Sequence, residues 1–528
     1  MLRIDQLRLH PGQQETLLRA RCAKLLRVAP ADITACTVLR KAIDAREDLT
    51  LVYTVSVSVK NEAQVLRRCR DKRVSVYKQE VYFLPAPVTA PAVRPIVVGA
   101  GPAGLFAALV LARCGARPIL LERGRPVEHR QADVERFWSG GPLDPDSNVQ
   151  FGEGGAGAFS DGKLNTGTKD LRHRFILETL VRCGAPDTIL TDAKPHVGTD
   201  KLHIALQALR QELEAAGADI RFNARLEHIW IQDGAVSAVT VCQNGQTYDL
   251  PARHVLLALG HSARDTFEML HRVGLYMVPK PFAMGGRIEH RQSAIDAAQY
   301  RSLAGHPALP PSTYKLSCHL PNGRSAFSFC VCPGGQVVAA ASEPGRTVTN
   351  GMSVYARDGE NINGALLVNV TPADFPSDHP LAGIALQRQL ETAAYALTGG
   401  YAAPCQRVAD FLTGRPSAGP GIVRPSYRPG VVYTDLRRCL PDFIGETLAL
   451  AMPGLGRQLR GYDDPHALLT GVETRSSSPV RLVRDAHYEA NIRGIFPCGE
   501  GAGYAGGILS AAADGMRCAE KLLEVYTT

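Results

Sequence analysis

The stretch from Ile96 to Glu122 limits the fold of this chain more than any other. Ile96-Val97-Val98 is a short apolar strand, and Gly99-Ala100-Gly101-Pro102-Ala103-Gly104 follows it as a GxGxxG turn. Leu105-Phe106-Ala107-Ala108 then begins an apolar helix, and a second strand, Pro118–Leu121, ends at Glu122, 23 residues after Gly99. Gly99 permits the tight turn, Gly101 lets backbone approach a pyrophosphate, and Gly104 lets the helix pack on the strand. The helix N-terminus offers unpaired N–H groups and the positive end of its dipole to phosphates. A carboxylate at the position of Glu122 accepts hydrogen bonds from a ribose diol and repels a 2′-phosphate. Gly152, Gly154 and Gly157 match the spacing too, as do Gly501, Gly503 and Gly506, but neither set is followed by a strand ending in an acid. The first match has strand, turn, helix, strand and acid in order, so a dinucleotide-binding α/β domain is expected there.

Two further segments favour FAD over NAD. Arg253–Leu259 is a buried strand ending at Gly260-His261-Ser262. Near the C-terminus, Gly494-Ile495-Phe496-Pro497-Cys498 is a strand ending in Gly499-Glu500, and a glycine loop through Gly506-Gly507-Ile508 enters the last helix. An acid there can hold ribityl hydroxyls, and the helix start can face the N1/C2 edge of a flavin and stabilise its reduced anion. The first and last segments would then form one domain around an insertion.

With these stretches on the page, the chain resembles the uncharacterised FAD-dependent dehydrogenases, a branch of the glutathione-reductase-like flavoproteins. The resemblance also rests on Lys41–Arg46, Gly152–Leu164, Lys194–Asp200, Gly260–Asp265, Arg287–His290, Cys330–Gly335 and Gly471–Arg475, with Ser476 a conservative departure. It implies an α/β fold: a glutathione-reductase-like FAD-binding Rossmann domain with an inserted α+β substrate domain. The expected segments are a basic unit at 1–84, a proline-rich linker at 85–92, FAD-binding parts at 93–265 and 486–528, and an insertion at 266–485. The implied activity is a dehydrogenase passing a hydride between flavin N5 and a small molecule that the sequence does not identify. NAD(P)H is a candidate transient reductant, although no second βαβ fingerprint is present. The family has no firm substrate, so fold and cofactor follow from the resemblance more directly than the reaction does.

The expected cofactor-binding residues are Gly99, Gly101, Pro102, Ala103, Gly104, Glu122, Arg123, Gly154, Gly155, Gly157, Ser160, Asp161, Lys163, Gly260, Gly499, Glu500, Gly506, Gly507 and Ile508. The glycines of 152–162 imply close backbone approach to the cofactor, and Lys163 can balance phosphate charge. Catalytic residues are not identified. The candidates are His196, His261 and His290 as proton donors, Arg287 and Arg475 as anion clamps, and Cys330 with Cys332 as a redox pair. The competing readings are structural histidines, salt-bridged core arginines, and two small buried thiols sharing one face of a strand. No metal site is expected.

The N-terminal unit reads as βαββαβ, a ferredoxin-like order. Its strands are expected at Leu2–Leu9, around Ile33–Ile43, at Leu51–Val59 and at Val74–Leu84. One helix carries Leu18, Cys22 and Leu25, and a second runs from an Asn61 cap to Arg70. Residues 1–95 hold 17 Lys and Arg against 9 Asp and Glu, so the whole net charge of +8 lies there. A solvated basic surface is the ordinary explanation. The alternative is an RNA-linked flavoprotein whose N-terminal unit docks nucleic acid through Arg67, Arg68, Arg70, Lys72 and Arg73. The 13 cysteines form no dense framework, the N-terminus has no signal-like apolar core, and the longest apolar run is broken by Gly99, Gly101, Pro102 and Gly104. A cytoplasmic protein without a membrane span is expected.

Overall fold

The computed structural model describes residues 1–46 and 48–527. The first strands, Leu2–Leu9, Ile33–Asp44, Thr50–Val59 and Val74–Val76, form an antiparallel sheet in the order second, third, first, fourth. Helices Leu17–Leu26 and Glu62–Arg68 complete a βαββαβ unit. Its core joins Leu51, Tyr53, Val55, Val57 and Val59 to Leu2, Ile4, Leu7 and Leu9. The parity of the first strand changes between Ile4 and Leu7 because a bulge sits there, with Gln6 at φ 60°. The extra residue turns both apolar pairs inward.

Two details differ from expectation. The last strand stops at Val76 instead of Leu84, and residues 77–95 carry no regular structure. That segment lies against the larger body: Tyr82 donates to Glu520 at 2.7 Å, its ring meets Phe175 edge-on, and Val88 N donates to Cys114 O at 2.8 Å. Asn61 is not a side-chain cap. It takes φ 58° and its side chain makes no capping bond, so the backbone makes the turn there.

Five three-residue strands form a parallel sheet in the order Ile495–Pro497, Val255–Leu257, Ile96–Val98, Ile119–Leu121, Asp219–Arg221. The first four are wholly buried apolar runs, as a sheet covered on both faces requires. Helix Pro102–Arg113 buries ten of its 12 residues. It packs on the C-terminal helix Ile508–Thr527, where a Cβ on Gly515 would lie 2.0 Å from Ala103 O. A three-stranded meander spans Ala224–Gln232, Ala235–Gln243 and Gln246–Pro251.

The chain leaves this body at Met277–Pro279 and returns at Val480–Leu482, and the two strands pair antiparallel. Between them lies a seven-stranded sheet, in the order Ser317–His319, Ser325–Cys332, Asn361–Val370, Phe282–Arg291, Leu468–Glu473, Ala403–Arg407, Val431–Tyr433. Helices Ala382–Thr398 and Asp442–Gln458 contribute apolar faces to its core. Among the described residues, no helix is long and apolar enough to cross a membrane.

Candidate functional site

A cavity of about 350 Å³ begins at the carboxyl ends of the parallel strands and runs to the edge of the seven-stranded sheet. One end is formed by Glu122, Arg123, Phe151, Arg225 and Leu226. Glu122 is 4% exposed. Its Oε2 accepts from Ala100 N at 2.7 Å, and its Oε1 accepts from Gly124 N and Gly152 N, each at 2.9 Å. The carboxylate therefore ties the fingerprint turn to the loop above it, and Oε2 retains acceptor capacity for a hydroxyl. Arg123 lies over the Phe151 ring at 4.2 Å and pairs with Asp146 and Asp265.

The fingerprint glycines do three different things. A Cβ on Gly104 would lie 1.8 Å from Gly99 O, and one on Gly99, at φ 103°, would lie 2.4 Å from Ala258 O. Gly101 has ordinary backbone angles, φ −77° and ψ −179°, and the nearest atom to a Cβ there is 3.9 Å away. Pro102 follows as the first helical residue, where its missing N–H costs nothing. The second glycine loop rests directly on this turn. Gly154 N donates to Ala100 O at 2.8 Å, and a Cβ on Gly155 would stand 3.1 Å from Gly101 Cα.

Arg130, which motif spacing did not reveal, organises that loop. It is fully buried and donates to the carbonyls of Asn148, Val149, Gly152 and Glu153. Burial lowers its pKa to about 10, against the pull of Glu122 and Glu153.

The far end is walled by Cys498, Glu500 and Gly506–Ile508 of the C-terminal segment and by Phe329, Cys330, Asn350, Glu473 and Arg475 of the inserted segment. Glu500 accepts from Gly507 N–H, and burial nonetheless raises its carboxyl to about 7. Ser160 donates to Gly157 O at 2.8 Å and so closes the loop locally. Asp161 is turned to Ser353 and Arg357; burial pushes its carboxyl up, but Lys163 and Arg357 outweigh this and hold it low. Gly499 lies beneath the cavity, its N–H donating to Asp514.

Of the catalytic candidates, the structure brings Cys330 and Arg475 to the cavity wall, with His261 beside them. Burial and the neighbouring Arg475 and Arg264 lower His261 to about 3, so its ring stays neutral and is not an acid near pH 7. His290 is a core residue bonded to Tyr462 O at 2.7 Å, and His196 stacks on Tyr355; neither lines the cavity. Arg287 and Arg475 are not free clamps. Arg287 is fully buried and forks onto Glu473, while Arg475 forks onto Glu391, which also receives Arg264. The expected common face for Cys330 and Cys332 is also wrong. The strand bulges between Phe329 and Cys332, with Cys330 at φ 42°, so Cys330 turns to the cavity while Cys332 is buried.

These residues fit an FAD. Cβ atoms on Gly260, Gly506 or Gly507 would meet nothing within 4 Å, which leaves an open cradle. Lys163 Nζ is a buried cation on the cavity wall, 3.5 Å from Asp161 and without a hydrogen-bond partner among the described residues. Among the described residues, no group of three or more His, Cys, Asp or Glu side chains could hold a metal. On the N-terminal unit, Arg8, Arg21, Lys24, Arg27, Arg68, Arg70 and Arg73 line a separate open groove with Asp71.

Comparison with known proteins gives the class of the chain. Residues 92–134 match the FAD binding domain, residues 281–476 match the C-terminal domain-like region of FAD-dependent proteins, and residues 1–60 match a domain of unknown function. The molecule is thus a flavoprotein, an FAD-dependent oxidoreductase in class. It belongs to the same family as an uncharacterised protein of Clostridium beijerinckii, 44% identical over 531 residues and 99% of both chains. Similar solved structures include a flavin-dependent brominase variant (12% identical, TM-score 0.37, covering 82% of this chain and 80% of that one). Another is a geranylgeranyl bacteriochlorophyll reductase-like protein from Thermoplasma acidophilum (14%, TM-score 0.38, 82% and 79%). These likenesses are distant and add nothing to the chemistry of the site.

Proposed function

We propose that this protein is an FAD-dependent dehydrogenase of glutathione-reductase-like arrangement, acting on a small molecule, with NAD(P)H as a transient reductant. One observation carries the reading: a single cavity joins the phosphate-binding turn to a second end walled by the inserted sheet. The flavin supplies hydride chemistry at N5 when bound. The protein supplies the rest. The fingerprint turn and the N-terminus of helix 102–113 would hold the pyrophosphate, and Oε2 of Glu122 would hold the adenosine ribose. Glu500 would hold the ribityl chain, and the start of helix 508–527 would stabilise the negative charge of a reduced flavin. Lys163 places a cation on the cavity wall. His261, held neutral, adds no charge that would repel a cationic substrate.

Segments 93–265 and 486–528 build the FAD half in this reading, and 266–485 the substrate half. The comparisons lend no support to a nucleic-acid partner. Anaerobic addition of NADH and NADPH to the purified protein is the test. Bleaching of the flavin band by either supports the reading. No bleaching by either, with FAD bound, removes the nicotinamide and turns the search to amine or hydroxy-acid donors.

A further inference from the structure

The seven-stranded sheet brings one thiol to the cavity wall, with a second buried beneath it, by an irregularity in one strand. Phe329 pairs with Ala365, but Cys332 pairs with Asn363, so one extra residue lies between them. A bulge of this kind re-aims a side chain. Here it sets Cys330 in the left-handed region, at φ 42°, a conformation that a non-glycine residue adopts only under strain. Regular alternation would bury Cys330 with Ser328. The bulge instead places it beside Phe329 on the cavity wall.

Cys332 stays buried beneath, its thiol donating to Cys330 O at 3.4 Å. Arg287 holds the bulge: Nη1 donates to Cys330 O at 2.9 Å and lies 3.9 Å from Cys332 Sγ, while the guanidinium forks onto Glu473. A left-handed cysteine, with a buried arginine and a second thiol both donating to its carbonyl, is more than packing requires.

We propose that Cys330 and Cys332 are a redox-active dithiol that exchanges two electrons with the flavin, Cys330 facing the ring and Cys332 resolving. This rests on the FAD reading of the cavity. In the oxidising direction both S–H bonds break and one S–S bond forms. The two electrons pass to the isoalloxazine ring together with one proton, taken at N5, and the second proton leaves to solvent. In the reverse direction, reduced flavin returns the dithiol. The neighbouring Cys332 thiol, Lys163 and Arg287 outweigh burial and hold the Cys330 thiol below its ordinary range, which favours the thiolate that exchange chemistry uses. Arg287 is a positioning residue in this scheme.

Both cysteines fall on one tryptic peptide, Ser325–Arg346, which holds no other cysteine. The test uses the air-oxidised FAD-bound protein in an anaerobic dithionite titration, with alkylation and mass analysis of that peptide before and after. The proposal predicts a peptide lighter by two hydrogens and unalkylated before reduction, then doubly alkylated after it. It also predicts twice the electron uptake per FAD of a simple flavin, falling to that of the flavin alone in Cys330→Ser and Cys332→Ser. A yellow protein whose peptide is alkylated throughout, and which takes up only the electrons of its flavin, overturns this proposal and leaves the FAD reading intact. A protein that binds no FAD overturns both. The peptide measurement needs no variant, so a misfolded Cys332→Ser does not rescue or sink the case.

Discussion

Substituting the three fingerprint glycines one at a time separates folding from cofactor binding. An alanine at Gly104 puts its Cβ 1.8 Å from Gly99 O, so strand and helix must part. Overpacking of this kind costs about 1–3 kcal/mol, and contact with rigid backbone places Gly104→Ala at the upper end. Gly99→Ala adds the strain of φ 103°, about 1–2 kcal/mol, to a 2.4 Å contact with Ala258 O. Gly101→Ala meets no atom closer than 3.9 Å and needs no unusual angle. Its apo form should be as stable as the parent, or more so by about 0.4–1 kcal/mol from lost freedom in the unfolded chain. The new methyl lies on the cavity wall where the pyrophosphate must approach. The same overpacking scale of about 1–3 kcal/mol then weakens FAD by roughly 5- to 150-fold. Thermal unfolding of the apo proteins and flavin-fluorescence titration measure the two quantities independently. A Gly101→Ala protein that binds FAD like the parent, or that unfolds like Gly104→Ala, would refute the assignment of these roles.

Other consequences follow from the same site. Glu391→Gln leaves Arg264 and Arg475 buried with a weakened shared partner, and chemical denaturation should show a loss of about 3–5 kcal/mol. Because burial of Glu391 is outweighed by the two arginines, its carboxyl is held below the usual range. Its contribution is present above the unfolded pKa and should fade as pH falls, so the parent and Glu391→Gln should converge in acid. Glu500 has the opposite sign. Its folded pKa, raised to about 7 by burial, makes the apo protein lose stability as pH rises from the unfolded value through 7. Ribityl hydroxyls favour its ionised form, so FAD binding near pH 6 should release protons, seen calorimetrically as a buffer-dependent heat that Glu500→Gln abolishes. Gly507→Val, at φ 100°, disturbs the start of the last helix and should lower the flavin midpoint potential; an unchanged potential at full occupancy would contradict that placement.

The fingerprint was legible because its chemistry is local: turn, helix start and acid lie within 27 residues, and each glycine answers to a neighbour close in sequence or in the adjoining strand. The ferredoxin-like order was legible for the same reason, since period-two alternation at Leu51–Val59 marks a strand by itself. What escaped depends on partners far along the chain. Arg130 on helix 127–138 serves carbonyls of the loop 148–153, and Glu391 meets Arg264 and Arg475 from separate elements. Neither has a signature beyond its residue type. The bulge at Cys330 was hidden because the left-handed residue is a cysteine, where a glycine would have announced it. The meander at 224–251 lay outside the motifs, yet it supplies Arg225 and Leu226 to the cavity.

The central claim is that one cavity, framed by the phosphate turn and the C-terminal glycine loop, holds one FAD. Heat denaturation of the purified protein followed by chromatographic identification of the released flavin tests it directly. The account predicts FAD, equimolar with the chain, and its loss in Gly101→Val. Release of FMN, or a colourless protein that cannot be reconstituted with FAD, would contradict it.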